Sequence, residues 1–356
     1  MRVLVTGGGT AGHVLPALAI ATALRDRGHD VHLVGSERGI EARLVPEAGF
    51  DQTLLPGRGI ARSLSPAALR ANLGAVVGLV RAGLLALGVV RRFRPAAVVA
   101  VGGYASVATG LAAVLWRVPV VVHEQNAVPG AANRLLARFA RRCATSFPDT
   151  PLPRAEVVGN PVRAELFERP HQPRPDGRRQ VLVFGGSLGA LSINRATVEA
   201  AARWRHRDDL AVHHVVGRRD WPTLERPTDT GALVYEAVEY EDDMPAQLAR
   251  ADLVVCRGGS GTLFELAATA RPAVIIPSLV TTGGQQVANA ERVAAAGGAV
   301  VVRDDELDGD RLVAEVDALL ADPDRLQAMS ERIAALAAPD AAARVADLVE
   351  EHARAR

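Results

Sequence analysis

The stretch Leu253–Ala290 decides the fold, and it reads LVVCRGGSGTLFELAATARPAVIIPSLVTTGGQQVANA. Leu253–Cys256 is a short, continuous apolar run, which is typical of a strand buried on both faces of a parallel sheet. The glycine-rich segment Arg257–Thr262 predicts a turn into a helix, with Glu265 in the first turn of that helix. A second strand, a loop and a helix containing Asn289 follow. This order predicts an α/β fold built on a parallel sheet.

The same stretch predicts a ligand site. A glycine-rich turn at the start of a helix leaves backbone N–H groups free for an anion such as a diphosphate. A carboxylate nearby, Glu265, suits two neighbouring sugar hydroxyls, although an acid near a helix start is also favoured by the helix dipole alone. The adjacent amides of Gln285 and Gln286 both donate and accept, so they suit sugar hydroxyls or phosphate oxygens.

Two other points of the chain repeat this strand–turn–helix pattern. Val181–Phe184 runs into Gly185–Ala190, and Val3–Thr6 runs into Gly7–His13 before a helix that we predict over Ala17–Arg27. Gly7, Gly9 and Gly12 also match the G-x-G-x-x-G pattern of dinucleotide-binding turns. Binding of a nicotinamide cofactor at this turn therefore remains an alternative interpretation.

His13 stands at the mouth of the first of these turns. A histidine there either acts as a base or oxyanion donor, or is simply a surface residue at a helix start.

Polar residues follow two further predicted strands. Ala97–Val101 ends at Gly102–Ser106, and Val118–Val122 ends at His123–Asn126. Open α/β sheets bind ligands at the carboxyl ends of their strands. We therefore expect a functional role for at least one residue of His123–Asn126.

The length of 356 residues predicts two domains. We predict an N-terminal Rossmann-like domain over 1–163, a linker rich in proline and charge over 164–180, and a C-terminal Rossmann-like domain over 181–338. A C-terminal helix, 339–356, could pack back on the N-terminal domain. The fold class is α/β, with two doubly wound domains facing a cleft.

Charge and composition restrict the function. The net charge of +1 gives no bulk attraction to nucleic acid. Cys143 and Cys256 are far apart, which indicates a reducing compartment and no zinc site.

The acidic pairs at 308/310 and 322/324 are interpreted as helix caps rather than metal ligands. The chain enters its first strand without a secretory signal, so we expect a cytosolic protein.

A long apolar helix is predicted from Pro66 to about Arg92, with arginines at 70, 81, 91 and 92. Either it is an ordinary core helix with solvated ends, or its apolar patch and arginines rest on an anionic membrane surface. Trp116, Arg117, Arg138, Arg141 and Arg142 could belong to the same face.

Six ordered motifs between Met1 and about Val302 resemble the MurG family: GGGTAGHVLPALAIA, GGYAS, HEQNAVPGAANRLLARFA, GNPVR, GGSLGA and CRGGSGTLFE…QQVANA. Members of that family transfer N-acetylglucosamine from UDP-N-acetylglucosamine to lipid I, undecaprenyl-diphospho-muramoylpentapeptide, and so form lipid II. The resemblance implies a GT-B fold and an inverting transfer at the cytoplasmic face of the membrane. It implies no metal and no cofactor.

The resemblance also implies roles for individual residues. The donor side would comprise Thr10, Ala11, Gly12, Asn126, Arg163, Ser187, Glu241, Ser260, Gly261, Thr262, Leu263, Phe264, Glu265, Gln285 and Gln286. Within that set, Arg163, Ser187 and the 260–265 turn would hold the diphosphate and ribose, and the backbone near Glu241 the uracil. The acceptor side would comprise His13, Tyr104, Ser106 and Glu124. His13 is the first candidate for taking the hydroxyl proton and Glu124 the second.

Several positions depart from the family pattern. Leu188 stands where glutamine is usual and Ala11 where glycine is usual, and the turns at 258–261 and 278–284 differ. Other interpretations therefore stay open: a UDP-N-acetylglucosamine 2-epimerase, a natural-product glycosyltransferase, an NAD-dependent oxidoreductase, or a non-catalytic UDP-sugar sensor.

Overall fold

The computed structural model describes residues 1–56, 66–186, 188–279 and 282–353, without the side chains of 66–77 and 282. Its strands are β1 Arg2–Gly7, β2 Asp30–Ser36, β3 Gln52–Leu55, β4 Ala97–Gly102, β5 Val120–Glu124, β6 Arg142–Thr145, β7 Ala155–Val157, β8 Arg179–Phe184, β9 Leu210–Val215, β10 Val234–Val238, β11 Leu253–Cys256, β12 Ala273–Ile275 and β13 Ala299–Val301. Its α-helices are α1 Ala11–Asp26, α2 Glu41–Glu47, α3 Pro66–Phe93, α4 Tyr104–Leu115, α5 Ala131–Leu136, α6 Leu191–Arg203, α7 Met244–Arg250, α8 Ser260–Ala268, α9 Gln285–Ala295, α10 Gly309–Leu320, α11 Pro323–Ala334 and α12 Ala341–His352.

The first of two compact units comprises Met1–Val162 and Ala338–Arg356. Within the described residues its sheet has the order β3-β2-β1-β4-β5-β6-β7, with neighbouring strands parallel. Every residue of β4 and β5 is buried, because helices cover both faces of the sheet. The apolar runs of the sequence are therefore central strands.

The second unit, Arg163–Ala337, contains a parallel sheet of order β10-β9-β8-β11-β12-β13. Its central strands β8, β9 and β11 are buried apart from the first residue of β8. They are mainly apolar, with Gln180, His213 and His214 as buried polar residues. The segment 164–180, expected to be a linker, lies inside this unit. There the N–H of Gln172 donates to the carbonyl of Ala249 at 2.8 Å.

The helix α12 belongs to the first unit although it ends the chain. Val345 and Val349 are fully buried in the core formed by β1, β4 and α1. At the edge of this contact, Arg27 donates to Asp347 at 2.6 Å and to Glu350 at 2.9 Å.

The first helix begins earlier than the sequence predicts. α1 starts at Ala11 rather than Ala17 and contains Pro16. Proline is most favoured in the first turn of a helix, so Pro16 suggested a start there. The earlier start puts His13 in the first turn of α1.

The first sheet also differs from the predicted strands. β5 runs over Val120–Glu124 instead of Val118–Val122, so His123 and Glu124 lie within the strand. β3, β6 and β7 were not predicted, because they are only three or four residues long and contain polar residues. Short runs of this kind give no clear periodicity.

The strand order reverses between β1 and β4 in the first sheet, and between β8 and β11 in the second. Loops that follow such neighbouring strands diverge to opposite faces and leave a crevice at the carboxyl edge, where open α/β sheets bind ligands. The predicted turns after β1, β8 and β11 all lie at such a position of their own sheet.

Among the described helices, none is both long enough and apolar enough to cross a lipid bilayer.

Candidate active site

The glycine-rich turn between β1 and α1 is occupied by a carboxylate of the chain itself. The N–H of Gly9 lies 3.1 Å from both carboxylate oxygens of Glu41. Glu41 is 1% exposed, and it also accepts hydrogen bonds from the Ser36 N–H at 2.7 Å and the Ser36 hydroxyl at 2.8 Å. A dinucleotide diphosphate would have to displace this buried carboxylate, which argues against a nicotinamide cofactor at this turn.

His13 lies directly after that turn. Its Nδ1 is 3.1 Å from the hydroxyl of Thr10, which is the N-cap residue of α1. The other edge of the ring lies against Gly102, where an added Cβ would be 2.7 Å from His13 Cδ2 and 2.9 Å from Nε2. The backbone of Gly102 has φ +119°, so only glycine adopts it readily and leaves room for the imidazole.

The surroundings of His13 favour its neutral form. Burial lowers the pKa of His13, and the charge of Glu124, a hydrogen bond with the Gly8 backbone and the charge of Glu41 oppose this shift. Because the net shift is downward, the imidazole is largely neutral near pH 7. A neutral imidazole can accept a proton.

Glu124, the second predicted proton acceptor, is fully engaged at the end of β5. One of its oxygens accepts from the N–H and the side-chain amide of Asn126, and the other from the Gly130 N–H and the Asn133 amide, each at 2.9 Å. Each oxygen already accepts two hydrogen bonds, so the carboxylate has little capacity left to take a proton from a substrate hydroxyl. Glu124 thus fixes the loop after β5 and places a negative charge near His13.

The neighbours of Glu124 in the sequence also have structural roles. His123 is fully buried with Nε2 3.2 Å from the Gly159 carbonyl, and Gln125 donates to its Nδ1 at 3.0 Å. Burial lowers the pKa of His123 to about 4, so the ring is neutral. Gln125 also donates to the Val101 carbonyl at 2.9 Å, which ties β5 to β4.

Tyr104 and Ser106, predicted on the acceptor side, both hold the fold together. The Tyr104 hydroxyl is 3.1 Å from the Pro56 carbonyl and 3.2 Å from the Gly78 carbonyl. Ser106 has no exposed surface, and its hydroxyl bridges the Thr6 carbonyl at 2.7 Å and the Gly102 N–H at 3.0 Å. The expectation for Ser106 is therefore corrected: a buried hydroxyl that joins β1 to β4 cannot contact an acceptor.

In the second unit, the start of α8 is open. Its N-cap residue is Gly259, which has no side chain to offer to the N–H groups of Ser260, Gly261 and Thr262. An added Cβ at Gly261 would meet no atom within 4 Å. Unpaired N–H groups beside open space form a site for an anion.

Leu263 and Phe264, also predicted at the donor, point into the core. Their side chains are only 2% and 5% exposed. Any contact of these two residues with a ligand would therefore be made by the backbone.

Glu265 lies in the second turn of α8, not in the first turn as predicted, because the helix begins at Ser260. Arg163 Nη2 lies 3.7 Å from its carboxylate, and Arg163 Nη1 lies 3.3 Å from Glu165. Burial raises the pKa of Glu265, and Arg163 opposes the shift. Unlike Glu124, this carboxylate sits in an environment that penalises its charge.

The turn between β8 and α6 gives a second glycine-rich loop in the second unit. Gly186 and Gly189 have φ of +93° and +89°, which only glycine adopts readily. Leu188 between them is 63% exposed, so this departure from the family pattern faces solvent. Ser187 lies outside the described residues.

The paired glutamines begin α9. The Gln286 side-chain oxygen accepts from the Ser278 N–H at 2.9 Å, and an added Cβ at Gly258 would be 2.5 Å from the Gln286 carbonyl. Asn289 donates to the Gly258 carbonyl at 3.2 Å. These contacts hold α9 beside the turn that precedes α8, and Gln285 is the first residue of α9.

Glu241 follows β10, and His213 and the backbone hold its side chain. His213 Nε2 is 3.0 Å from one carboxylate oxygen of Glu241, and the Asp243 N–H donates to the other at 2.9 Å.

The remaining predicted donor residues lie in the first unit, at the start of α1 and after β5. They are Thr10, Ala11, Gly12 and Asn126.

The acidic pairs late in the chain cap helices, as predicted. Asp308 accepts from the Arg311 N–H at 2.7 Å at the start of α10, and Asp322 from the Arg325 N–H at 3.0 Å at the start of α11. Across the described residues, no group of three or more His, Cys, Asp or Glu side chains could hold a metal ion.

Comparison with known proteins identifies the family. Residues 3–145 match the glycosyltransferase family 28 N-terminal domain, and residues 180–345 match the C-terminal domain of the same family. A protein of Alkalilimnicola ehrlichii is 42% identical over 99% of both chains, and one of an Anaeromyxobacter species is 40% identical over 100% of this chain and 94% of its own. Both are named UDP-N-acetylglucosamine–N-acetylmuramyl-(pentapeptide) pyrophosphoryl-undecaprenol N-acetylglucosamine transferase.

Among solved structures, Acinetobacter baumannii MurG is 28% identical, with a TM-score of 0.77 over 98% of this chain and 99% of the other. The fold is that of the GT-B glycosyltransferases, with two Rossmann-like units. The full-length similarity and the two matching domains show that the chain belongs to the MurG family of glycosyltransferases.

Proposed function

We propose that this chain transfers N-acetylglucosamine from UDP-N-acetylglucosamine to the muramoyl sugar of lipid I and thereby forms lipid II in peptidoglycan synthesis. The observation that carries the proposal is the similarity, over the full chain, to relatives named for this transfer. The open start of α8 supports it, because the turn has room and N–H groups for a diphosphate.

For the donor, we propose that the diphosphate binds at the N-terminus of α8 without a metal. The N–H groups of Ser260–Thr262 and the partial positive charge of the helix end would offset the charge of the diphosphate. Arg163, half-exposed beside Glu265, would supply a further positive charge. Glu265 would accept hydrogen bonds from the ribose hydroxyls.

For the chemistry, we propose that His13 is the general base. The acceptor hydroxyl oxygen forms a bond to the anomeric carbon while the bond from that carbon to the diphosphate oxygen breaks in line, which inverts the anomeric centre. The hydroxyl proton passes to the neutral imidazole of His13, and UDP leaves with the bonding electron pair. Glu124 stabilises the imidazolium that forms, because its charge raises the pKa of His13.

Labelled UDP-N-acetylglucosamine and a lipid I analogue test the function directly. We expect labelled disaccharide product and one UDP released per sugar transferred. Formation of an epimer in the absence of acceptor, or donor binding without any transfer, would overturn the proposal. Binding of UDP at the turn after β1 would overturn the donor site.

We propose that the chain acts at the cytoplasmic face of the membrane through a surface of α3 and α4. The acceptor is lipid-borne, so the protein has to approach the bilayer. Exposed apolar side chains on or directly after these helices are Val80, Leu84, Leu85, Leu115 and Trp116, and exposed arginines there are Arg81, Arg91 and Arg117. We propose that Arg138, Phe139 and Arg141, which follow α5 and are also exposed, extend this surface. Apolar side chains ringed by arginine suit an interface with anionic lipid.

Co-sedimentation with liposomes tests this surface. Leu84 and Leu115 are the most exposed of its apolar residues, so Leu84→Glu and Leu115→Glu should abolish binding to vesicles that contain anionic lipid. Val157→Glu on β7 is the control, because Val157 is also an exposed apolar residue but lies outside the surface. Binding that is insensitive to salt, or equal loss in all three variants, would contradict the proposal.

A further inference from the structure

The buried carboxylate of Glu41 has no role in the proposed chemistry, and yet much of the first unit is arranged around it. Glu41 is the first residue of α2 and is 1% exposed. Its carboxylate lies against the Gly9 N–H and accepts from the N–H and hydroxyl of Ser36 at the end of β2. A buried carboxylate is costly without hydrogen-bond donors, and here the backbone and Ser36 supply them.

Three glycines make room for this carboxylate. An added Cβ at Gly8, Gly35 or Gly39 would collide with the side chain of Glu41. These glycines come from three places: the turn after β1, the end of β2 and the turn before α2. The three glycines therefore leave space for the Glu41 side chain, and a larger residue at any of these three positions would displace it.

The carboxylate acts on the turn in the way that a bound anion would. It holds the N–H of Gly9, one residue before the N-cap of α1, and Gly9 has φ +92°. Thr10 follows, and its hydroxyl contacts His13 Nδ1 at 3.1 Å. A fixed path of backbone and side-chain contacts thus leads from Glu41 to the imidazole.

We propose that Glu41 is a positioning residue for His13: a built-in anion that fixes the glycine-rich turn and supplies a permanent negative charge behind the imidazole. This role rests on the proposed function of His13 as the base. Glu41 also takes the place that a phosphate would occupy in a nucleotide-binding turn, so it keeps this turn free of the donor diphosphate.

The charged and polar groups that act on His13 are few. Glu124 on β5 and Glu41 on α2 both raise its pKa, as does a hydrogen bond with the Gly8 backbone, and burial lowers it. Removal of the Glu41 charge should therefore lower the pKa of His13 further. Loss of the carboxylate contact should loosen the turn that carries the imidazole.

Glu41→Gln tests the charge with little change of shape. An NMR titration of the histidine ring should show the pKa of His13 below that of the unchanged protein. The kcat for transfer should fall by about tenfold or more, while the Kd of UDP stays within about twofold, because the diphosphate and ribose are proposed to bind in the second unit. Glu47→Gln is the matched control, since Glu47 is exposed at the other end of α2 and pairs only with Arg43 among the described residues.

Two outcomes would overturn the proposal: a His13 pKa that does not move in Glu41→Gln, or a kcat equal to that of Glu47→Gln. If Glu41→Gln does not fold, Glu41→Asp keeps the charge but withdraws it from Gly9. Its kcat should then fall with an unchanged Kd for UDP, and a normal kcat would count against the role. Failure of the unchanged protein to transfer sugar would refute the proposed function instead, and the NMR titration would still report on Glu41.

Discussion

At the scale of single residues, the hydrogen-bonding surroundings of two carboxylates in the first unit differ from those of one carboxylate in the second unit. Glu41 and Glu124 are surrounded by N–H donors, whereas Glu265 is buried with one arginine at 3.7 Å and an upward-shifted pKa. A carboxylate that lacks donors gains more from ligand hydroxyls than one that is already satisfied. This difference indicates structural support from the first two acids, and it supports the proposal that the third binds the ribose.

Glu265→Gln should weaken UDP binding and stabilise the free protein. Because burial raises the pKa of Glu265 in the folded state, the folded protein is penalised once pH exceeds the pKa of the unfolded chain, and the penalty is complete above the folded pKa. At pH 7 the amide should therefore increase the free energy of unfolding of the free protein. Calorimetry should show UDP binding about tenfold weaker or more.

UDP binding should also weaken as the pH falls through the raised pKa of Glu265, because the protonated acid has one acceptor fewer for the ribose. Glu165→Gln serves as the control, because Glu165 also pairs with Arg163 but is half-exposed. Unchanged UDP affinity in Glu265→Gln would contradict the ribose assignment.

His13→Ala should lower kcat by about 10²–10⁴-fold and leave UDP affinity unchanged, because a general base acts only on the acceptor proton. The pKa of His13 lies below its ordinary value, so the base is active down to lower pH than an exposed histidine would allow. In the unchanged protein kcat/KM should fall on the acid side below about pH 6.5. A similar loss of UDP affinity in the variant would instead place His13 at the donor.

Prediction from the sequence named His13, Glu265 and the caps, of which the structure confirms the caps, but it did not name Glu41. Glu41 follows a turn and starts a short helix, which is an ordinary place for an acid. Only the three-dimensional contact with Gly9, 32 positions away, distinguishes it. The sequence did contain one signal, since glycines at 8, 35 and 39 have no other evident purpose.

At the scale of elements, the start of α11 offers a direct check of the capping interpretation. Asp322→Ala should lower the free energy of unfolding of the second unit by about 1 kcal/mol, because the Arg325 N–H loses its acceptor. Thermal unfolding with and without UDP would measure this loss. Glu331→Ala on the same helix, which removes only a surface bond with Gln327, should cost a few tenths of that. Loss of UDP binding in Asp322→Ala would contradict a purely structural cap.

Elements were predictable where a strand or helix was long and apolar. The predicted strands Val181–Phe184 and Leu253–Cys256 are observed within β8 and as β11, and the predicted helix Pro66–Arg92 ends one residue from the observed end of α3. The missed strands β3, β6 and β7 owe their conformation to neighbouring strands at the sheet edges, not to their own composition. Tertiary pairing of this kind leaves little trace in a local window.

At the scale of the whole molecule, the sequence predicts the two units but only partly predicts the order in which the chain passes through them. The repeated strand–turn–helix pattern predicted two Rossmann-like halves, and two compact units are observed. The first unit is discontinuous, because the chain returns to it at Ala338 and adds α12 to its core. The expectation that a helix over 339–356 could pack back on the N-terminal domain anticipates this return, although the apolar face of α12 alone does not specify which core residues it meets.

Val349→Asp should therefore destabilise the first unit specifically. Val349 is fully buried on α12, and a charge placed there without a partner should cost about 3 kcal/mol or more and release the helix. Arg27→Ala should cost no more than about 1 kcal/mol, because it removes only partly exposed ion pairs with Asp347 and Glu350. Calorimetric unfolding should show the transition of the first unit at a lower temperature in Val349→Asp. UDP, which we propose binds to the second unit, should still stabilise the other transition. Glu351→Asp, an exposed change on the same helix, is the control. Equal loss of UDP-dependent stabilisation in Val349→Asp would mean that donor binding depends on the first unit as well.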